Sequence, residues 1–286
     1  MNNDLKSLLS NILNESITKV SPVRGGDISE AFKIETSNNA YFLKSNNVSN
    51  ASNMFQIEAY GLQVIRKTNT IKTPKVLACD TFQNVAFLLM EFIDSKSASS
   101  SDYKNLGNQL AQLHQCTSDN FGLDQDNFIG SLHQSNKPNT TWVDFYTTER
   151  LQPQIELAKQ KQLLSKNEYP SSQKIKETLE PLFAGIKPAL LHGDLWNGNF
   201  LISKNGTPYL IDPAVYYGHH EVDIAMTKLF GGFSVCFYDT YYSNFETDEH
   251  SSARIEIYQL YYLLVHLNLF GNSYYGSVLS ILKKYF

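Results

Sequence analysis

Cysteine is nearly absent from the chain. Cys79, Cys116 and Cys236 are odd in number and far apart, and none sits in a Cys-x-x-Cys pair. That excludes a disulfide framework and a cysteine-built zinc site, and leaves reduced thiols, as expected of a cytoplasmic protein. Long apolar runs are missing too. None approaches the roughly 18 residues that a membrane-spanning helix needs, and the opening Met-Asn-Asn-Asp-Leu-Lys lacks the basic-then-apolar plan of a signal peptide. No membrane partner is expected. Positive charge is in short supply: 24 lysines and arginines face 28 aspartates and glutamates, for a net charge of −4. With no long basic run, a broad nucleic-acid surface is not expected either. Internal repeats and low-complexity linkers are also lacking, although Asn and Ser recur throughout.

What is present is the material of a large globular core. The chain has 286 residues, 42% hydrophobic and 18% charged, enough for one domain or two lobes. Leu5, Leu8, Leu9, Ile12 and Leu13 recur at helical spacing over 3–14. Residues 17–23, 31–36 and 41–45 read as short strands separated by turn residues. Ile57, Gly61, Leu62 and Ile65 mark one helical face within 54–66. Strands follow at 75–79, after Pro74, and at 85–93, an apolar run that reads as a buried central strand. The polar stretch 94–101 is the break in composition, and it divides the chain into 1–93 and 94–286. Beyond it, helices are expected over 102–116, over 142–163 with a kink or restart near Pro153, over 172–183, from Glu221 onward, and over 253–269 and 277–284. The irregular stretch 117–141, about 25 residues, exceeds ordinary connections and reads as a binding loop.

One segment, 190–213, carries polar groups where apolar runs stop. Residues 189–191 and 200–202 are apolar, Lys204-Asn205-Gly206 is a turn, and 209–211 is the return strand. Asp194 and Asn199 lie in the loop between runs, and Asp212 follows the return strand. Asp-Pro after a strand is common punctuation, but a core needs none of these three residues. Phosphoryl transfer uses all three: a carboxylate to orient a hydroxyl and accept its proton, and an amide oxygen plus a carboxylate to hold magnesium on nucleotide phosphates. Their order and spacing resemble the kinase plan His-x-Asp-x-x-x-x-Asn followed by a metal aspartate. Gly193 fills the second position and Asp212-Pro213 replaces Asp-Phe-Gly, a variant similar to the aminoglycoside-phosphotransferase-like kinases.

Upstream residues arrive in kinase order. Gly25-Gly26 is either a plain hairpin turn or a loop whose amides bond phosphate oxygens. Lys44 ends the third strand, where a lone lysine is more often solvated. In kinase order it holds the α and β phosphates, and Glu58, fourteen residues on, pairs with it rather than lying on the surface. Backbone groups of Glu91, Phe92 and Ile93 would read the adenine edge, with Met90 guarding the pocket behind. Downstream, Glu221 and Asp223 in a helix's first turn favour the helix dipole; contact with a polar substrate or bracing of the catalytic loop is the sharper reading. His114 reads as structural. His266, on an apolar stretch, reads by default as a hydrogen-bonded core histidine and is also carried as a substrate-side candidate.

His192-Gly-Asp-Leu-Trp-Asn-Gly-Asn199, Asp212-Pro-Ala-Val-Tyr-Tyr-Gly-His219 with Glu221 and Asp223, and Leu229-Phe-Gly-Gly-Phe233 together resemble the fructosamine kinase (ketosamine-3-kinase) family. Residues 121–130, Trp142, Arg150 and the run 258–271 resemble its bacterial branch. The resemblance implies an α+β, bilobal protein-kinase-like fold, with a small N-terminal β-sheet lobe plus helix and a larger, mainly helical C-terminal lobe. It implies ATP and Mg2+, transfer of the γ-phosphate to the 3-hydroxyl of a small or protein-bound ketosamine, and deglycation, since the product sheds its sugar. By it, Asp194 is the catalytic base, Asn199 and Asp212 are the magnesium ligands, and Lys44 and Glu58 position phosphate. Gly25, Gly26, Met90, Glu91, Phe92 and Ile93 complete the ATP site; Trp196, Asp223 and His266 face the substrate. Plain packing between lobes is the bland reading of Trp196. Some relatives carry a cysteine in the glycine loop that links subunits. Here Gly25-Gly26-Asp27 implies no such redox switch, and Asp27 adds a negative charge near the phosphates. A kinase of choline, an aminoglycoside or a similar amine is the alternative. A pseudokinase used as a binding module is the third reading, and loss of Lys44, Asp194, Asn199 or Asp212 would have favoured it; all are present.

Overall fold

Alternating side chains give the first part of the chain a sheet with two different apolar faces. A computed structural model of the chain describes residues 3–23 and 29–286; Gly25, Gly26 and Asp27 lie outside the described residues. Helix α1 (Asn3–Leu13) precedes strands β1 (Lys19–Pro22), β2 (Glu30–Glu35) and β3 (Ala40–Asn46), helix α2 (Ala51–Lys67), and strands β4 (Val76–Phe82) and β5 (Val85–Glu91). The strands form one antiparallel sheet in the order β1-β2-β3-β5-β4. Ile34, Leu43, Phe87 and Leu89 meet Leu5 and Leu9 of α1 on one face. Phe42, Leu88 and Met90 meet Phe55 and Leu62 of α2 on the other. Ala86 to Met90 are all buried because β5 is covered on both faces, which is why its sequence is apolar without alternation. Lys44, directly opposite Leu88, points to the α2 side.

The larger part contains β6 (Ser95–Lys96), α3 (Ser100–His114), the hairpin β7 (Asn127–Ile129) and β8 (Leu132–Gln134), and α4 (Trp142–Phe145). Helix α4 runs through a π-helical stretch, Tyr146–Leu151, into α5 (Gln152–Gln160). Then come α6 (Ser172–Leu179), β9 (Ala189–Leu191), β10 (Phe200–Ser203), β11 (Pro208–Leu210), β12 (Tyr216–Gly218), α7 (Glu221–Leu229), α8 (Val235–Tyr242), α9 (Ser251–Phe270) and α10 (Tyr275–Tyr285). The fold is α+β, bilobal and kinase-like, as the resemblance implied. Ser99 closes a capping box with Asp102, so α3 begins within the polar break. The middle of α9, from Leu260 to Val265, is buried without a break, and the helix forms the spine of the helical core. Among the described residues no helix is long and apolar enough to cross a membrane.

Three local expectations differ. The stretch 117–141 is not wholly irregular: β7 and β8 pair within it, turning at Gly130 with φ 57°. The interruption near Pro153 is a π-helical bulge, after which Pro153 sits in the first turn of α5, where its missing amide costs nothing. Helix α8 was not expected at all. Its residues, Val-Cys-Phe-Tyr-Asp-Thr-Tyr-Tyr, are weak helix formers. Packing decides instead: α8 lies so close to α3 that a Cβ on Gly107 would stand 2.7 Å from the Phe237 carbonyl oxygen.

Candidate active site

Two short ladders fold the segment 189–218 back on itself. Strands β10 and β11 form the expected hairpin, with Phe200 opposite Leu210. Strand β12 returns to pair with β9, with Tyr216 opposite Leu191. The loop after β9 and the residues after β11 are thereby brought together, tied by Ala214 N–H to the His192 carbonyl at 2.8 Å and Ile211 N–H to the Asn199 carbonyl at 3.0 Å.

Each residue of the loop is held by a named partner. His192 is fully buried, with Nε2 2.9 Å from the Ile211 carbonyl and Nδ1 3.2 Å from the Asp194 amide. A carbonyl only accepts, so Nε2 carries the hydrogen and Nδ1 offers its lone pair to Asp194 N–H. Burial lowers the imidazole pKa, which keeps the ring in this neutral form. Gly193 has φ 84°, and a Cβ there would run into the Ala214 carbonyl; Tyr262 donates to its carbonyl oxygen at 2.8 Å. Asn199 donates from Nδ2 to the Asp194 carbonyl at 2.8 Å and to Asp194 Oδ2 at 3.2 Å. That leaves Asn199 Oδ1 for another partner.

Across the cleft, Lys44 Nζ is 2.8 Å from Glu58 Oε1 and also pairs with Asp212 Oδ1. The side chains of Lys44 and Glu58 are only 11% and 15% exposed, whereas Asp212 keeps 38% of its side-chain surface open. Asp212 holds φ 54°, a left-handed conformation that aspartate tolerates better than most residues. Burial lowers a lysine, but Glu58 and Asp212 outweigh it and hold Lys44 firmly charged. Burial raises Glu58 well above the ordinary carboxylate range. It would raise Asp212 too, but the Lys44 ammonium keeps that carboxyl below its usual value. Asp194 is pushed up to about 7, first by burial and then by the charges of Asp212 and Asp223.

Asp223 requires a correction. It does not face a substrate: it is fully buried. Oδ2 accepts from His192 N–H at 2.7 Å, Oδ1 from Gly193 N–H at 2.8 Å, and His114 Nε2 lies 3.0 Å from Oδ2. Both oxygens are committed to the loop, which is the bracing alternative. Glu221 is likewise buried, in a two-pronged pair with Arg254 at 2.6 and 2.9 Å. Trp196 remains 39% exposed beside Asp194, its indole lying over Gly198. Met90 is buried opposite Phe42, and the Glu91 amide is already bonded to the Lys75 carbonyl at 2.9 Å. Phe92 lies under the Lys33 ammonium, 4.9 Å from the ring centroid, and Ile93 is buried. His266 is half-buried, bonded through Nδ1 to the Tyr262 carbonyl at 2.7 Å and packed on Phe230, 4.7 Å between centroids.

The profile described as fructosamine kinase matches residues 1–286 of this geometry's chain, its whole length. The chain belongs to the fructosamine kinase family. A "Probable ketoamine kinase" of Lactiplantibacillus plantarum is 39% identical over 98% of this chain and 99% of its own. A "Protein-ribulosamine 3-kinase, chloroplastic" of Arabidopsis thaliana is 38% identical over 94% of this chain and 83% of its own. Among solved structures, a putative fructosamine-3-kinase from Haemophilus somnus 129PT superposes with a TM-score of 0.87 at 29% identity, covering 98% of this chain and 96% of that one.

In this fructosamine kinase, no group of three or more His, Cys, Asp or Glu among the described residues could hold a metal ion. The oxygen pair of Asn199 Oδ1 and Asp212 nevertheless fits magnesium, which is usually held by one or two protein oxygens, phosphates and waters. Several residues that shape the family member's site escaped sequence reasoning. Tyr262 acts on the loop from α9, and Tyr241 bonds His114 Nδ1 at 2.6 Å and His220 Nδ1 at 2.9 Å from α8. Tyrosines scattered along apolar helices look like core residues, and nothing in their spacing announces the partner.

Proposed function

We propose that the protein transfers the γ-phosphate of ATP to the 3-hydroxyl of a ketosamine, a fructosamine or ribulosamine adduct, and so initiates deglycation. It is a phosphotransferase of the fructosamine kinase family acting on a sugar-derived hydroxyl, and it uses ATP. The observation that carries the reading is the convergence of Asp194, Asn199 and Asp212 with the Lys44–Glu58 pair at 2.8 Å, from strands far apart in sequence. The names carried by relatives, ketoamine kinase and protein-ribulosamine 3-kinase, support the acceptor and the position phosphorylated.

In this reading Asp194 orients the acceptor hydroxyl and takes its proton. A carboxyl near pH 7 in pKa is a better proton acceptor than an ordinary aspartate, yet is still half ionised at neutrality. Lys44, kept charged by Glu58, meets the phosphate oxygens, and the amides of Gly25 and Gly26 are assigned to the same phosphates. Asn199 Oδ1 and Asp212 hold the metal. Bound magnesium supplies charge neutralisation at the transferring phosphoryl group. Backbone groups of Glu91, Phe92 and Ile93, behind Met90, read adenine; Trp196 offers an apolar face to the sugar carbons, with His266 further along the acceptor side. We assign the nucleotide lobe to residues 1–93 and the acceptor lobe to 94–286. Three unpaired cysteines suit a reducing cytoplasm.

The test is ATP turnover with magnesium on ribulose-lysine and fructose-lysine adducts, choline and an aminoglycoside. Turnover confined to the adducts is expected. Turnover with choline or the aminoglycoside alone would overturn the acceptor, and binding of ATP without any turnover would favour a binding module.

A further inference from the structure

Helix α2 carries Glu58, and two contacts outside the sheet determine where that helix sits. Gly61 lies one turn beyond Glu58 on the same face. A Cβ there would stand 3.2 Å from both Pro213 Cγ and Val215 Cγ2, so the α2 backbone rests directly on the segment that follows Asp212. On the adjoining face, Tyr60 donates its hydroxyl to Asp124 Oδ1 at 2.7 Å.

Asp124 belongs to a segment, 121–139, that is tied down throughout. Phe121 and Asn139 exchange backbone bonds at 2.9 and 3.0 Å, and Leu123 N–H bonds the Asn136 carbonyl at 2.9 Å. Asn136 is fully buried. Its N–H donates to Asp126 Oδ1 at 2.7 Å, its Nδ2 to the Gln125 carbonyl at 2.9 Å, and its Oδ1 accepts from Arg150 Nη2 at 2.6 Å. Arg150 is itself fully buried; among the described residues its contacts are carbonyl oxygens, the Asn136 amide and aromatic rings, with the guanidinium 3.9 Å from the Tyr216 ring centroid. A buried guanidinium without a carboxylate is costly, and this one bonds Ser135 and Asn136, holding that part of the segment in place. Asn127 adds a bond from Nδ2 to the Val215 carbonyl at 2.8 Å, so the same segment grips the chain between Asp212 and β12.

We propose that residues 121–139 are a built-in brace that fixes α2 where Glu58 meets Lys44, with Tyr60 and Asp124 as positioning residues for ATP. The inference rests on the proposed nucleotide site. In it, the stretch that looked like a loop waiting for a ligand is also the support of the phosphate-binding lysine. The contact runs from Arg150 through Asn136 and the 123–126 turn to Tyr60, and from there along two residues of α2 to Glu58. Neither Tyr60 nor Asp124 touches the reacting atoms; each acts through the helix.

The experiment titrates ATP with magnesium into the wild-type protein and into Tyr60→Phe, Asp124→Ala, the double variant and Asp124→Asn, by calorimetry without acceptor. Steady-state kinetics on a ketosamine follow. Tyr60→Phe and Asp124→Ala should each weaken ATP by about three- to tenfold, the range one net hydrogen bond supports. The double variant should bind no more weakly than either single one, the KM for the acceptor should be unchanged, and Asp124→Asn, which keeps an accepting oxygen, should restore wild-type affinity. Wild-type ATP affinity in Tyr60→Phe and Asp124→Ala, or losses that simply add in the double variant, would overturn the brace. Failure of the wild-type protein to bind ATP would overturn the nucleotide site itself, and is distinguishable because it precedes any variant.

Discussion

Asp194 sits where an aspartate is least at ease. Burial and two neighbouring carboxylates hold it near neutrality in pKa, and its hydrogen bond from Asn199 only partly offsets them. A structural aspartate in that position would be a liability, whereas a proton acceptor at a cleft mouth needs that tuning. Asp194→Asn keeps the shape and removes the proposed base. It should lower kcat by about 10²- to 10⁴-fold while ATP affinity, measured by calorimetry, stays close to wild type. Near-full turnover in this variant would remove Asp194 from the proton-accepting role. Asp223 shows the opposite use of the same side chain. His114 and the loop amides overcome burial, keep it ionised, and turn its charge entirely inward.

At the scale of elements, α7 is the part that shapes the catalytic loop. Its first turn presents Asp223 to two consecutive amides, and α3, through His114, holds the far side of that carboxylate. Asp223→Ala would strand these buried donors, at ~1–3 kcal/mol for each. It should therefore lower the melting temperature and also cut kcat at least tenfold under conditions where the protein is folded. A variant that melts lower but turns over normally would show that the loop keeps its shape without α7. The helix itself is ordinary in sequence. What makes it functional is that β12, two residues before it, pairs with β9, the strand that leads into the loop it braces.

For the whole molecule, buried titratable groups pull stability in opposite directions. His219 lies well below its ordinary value of 6.5 and His220 falls to about 3, first because they are buried and then because a charge on either would be opposed by its neighbours, the Arg254 guanidinium among them. Below pH 6.5 the unfolded chain protonates these imidazoles and the folded one does not, so their contribution is complete above that pH and lost as pH falls. Asp194 does the reverse, since its folded carboxyl takes up a proton before the unfolded one does. His220→Asn removes one of these imidazoles, so its unfolding free energy should rise relative to wild type as pH falls below 6.5, by up to about 1.4 kcal/mol per pH unit. Parallel urea midpoints for the two proteins across that range would contradict a neutral, buried His220.

The sequence by itself determined the elements whose periodicity or spacing is local: α1, α2, α3 and α9, the unbroken apolar β5, the β10–β11 hairpin, and the spacing of Asp194, Asn199 and Asp212. It also determined the family, because the motif residues are contiguous. Tertiary structure alone decided the rest. Helix α8 forms against its own propensity because α3 leaves it a groove at Gly107. Asp223 became a brace and not a substrate contact because β12 and β9 pair behind it. Tyr60, Asn136 and Arg150 acquired partners 64, 11 and 14 residues away. A hydrogen bond between residues that far apart leaves no periodic trace along the chain. It exists only once packing has brought the two ends together, and for buried groups such as Asn136 burial then makes loss of the partner costly.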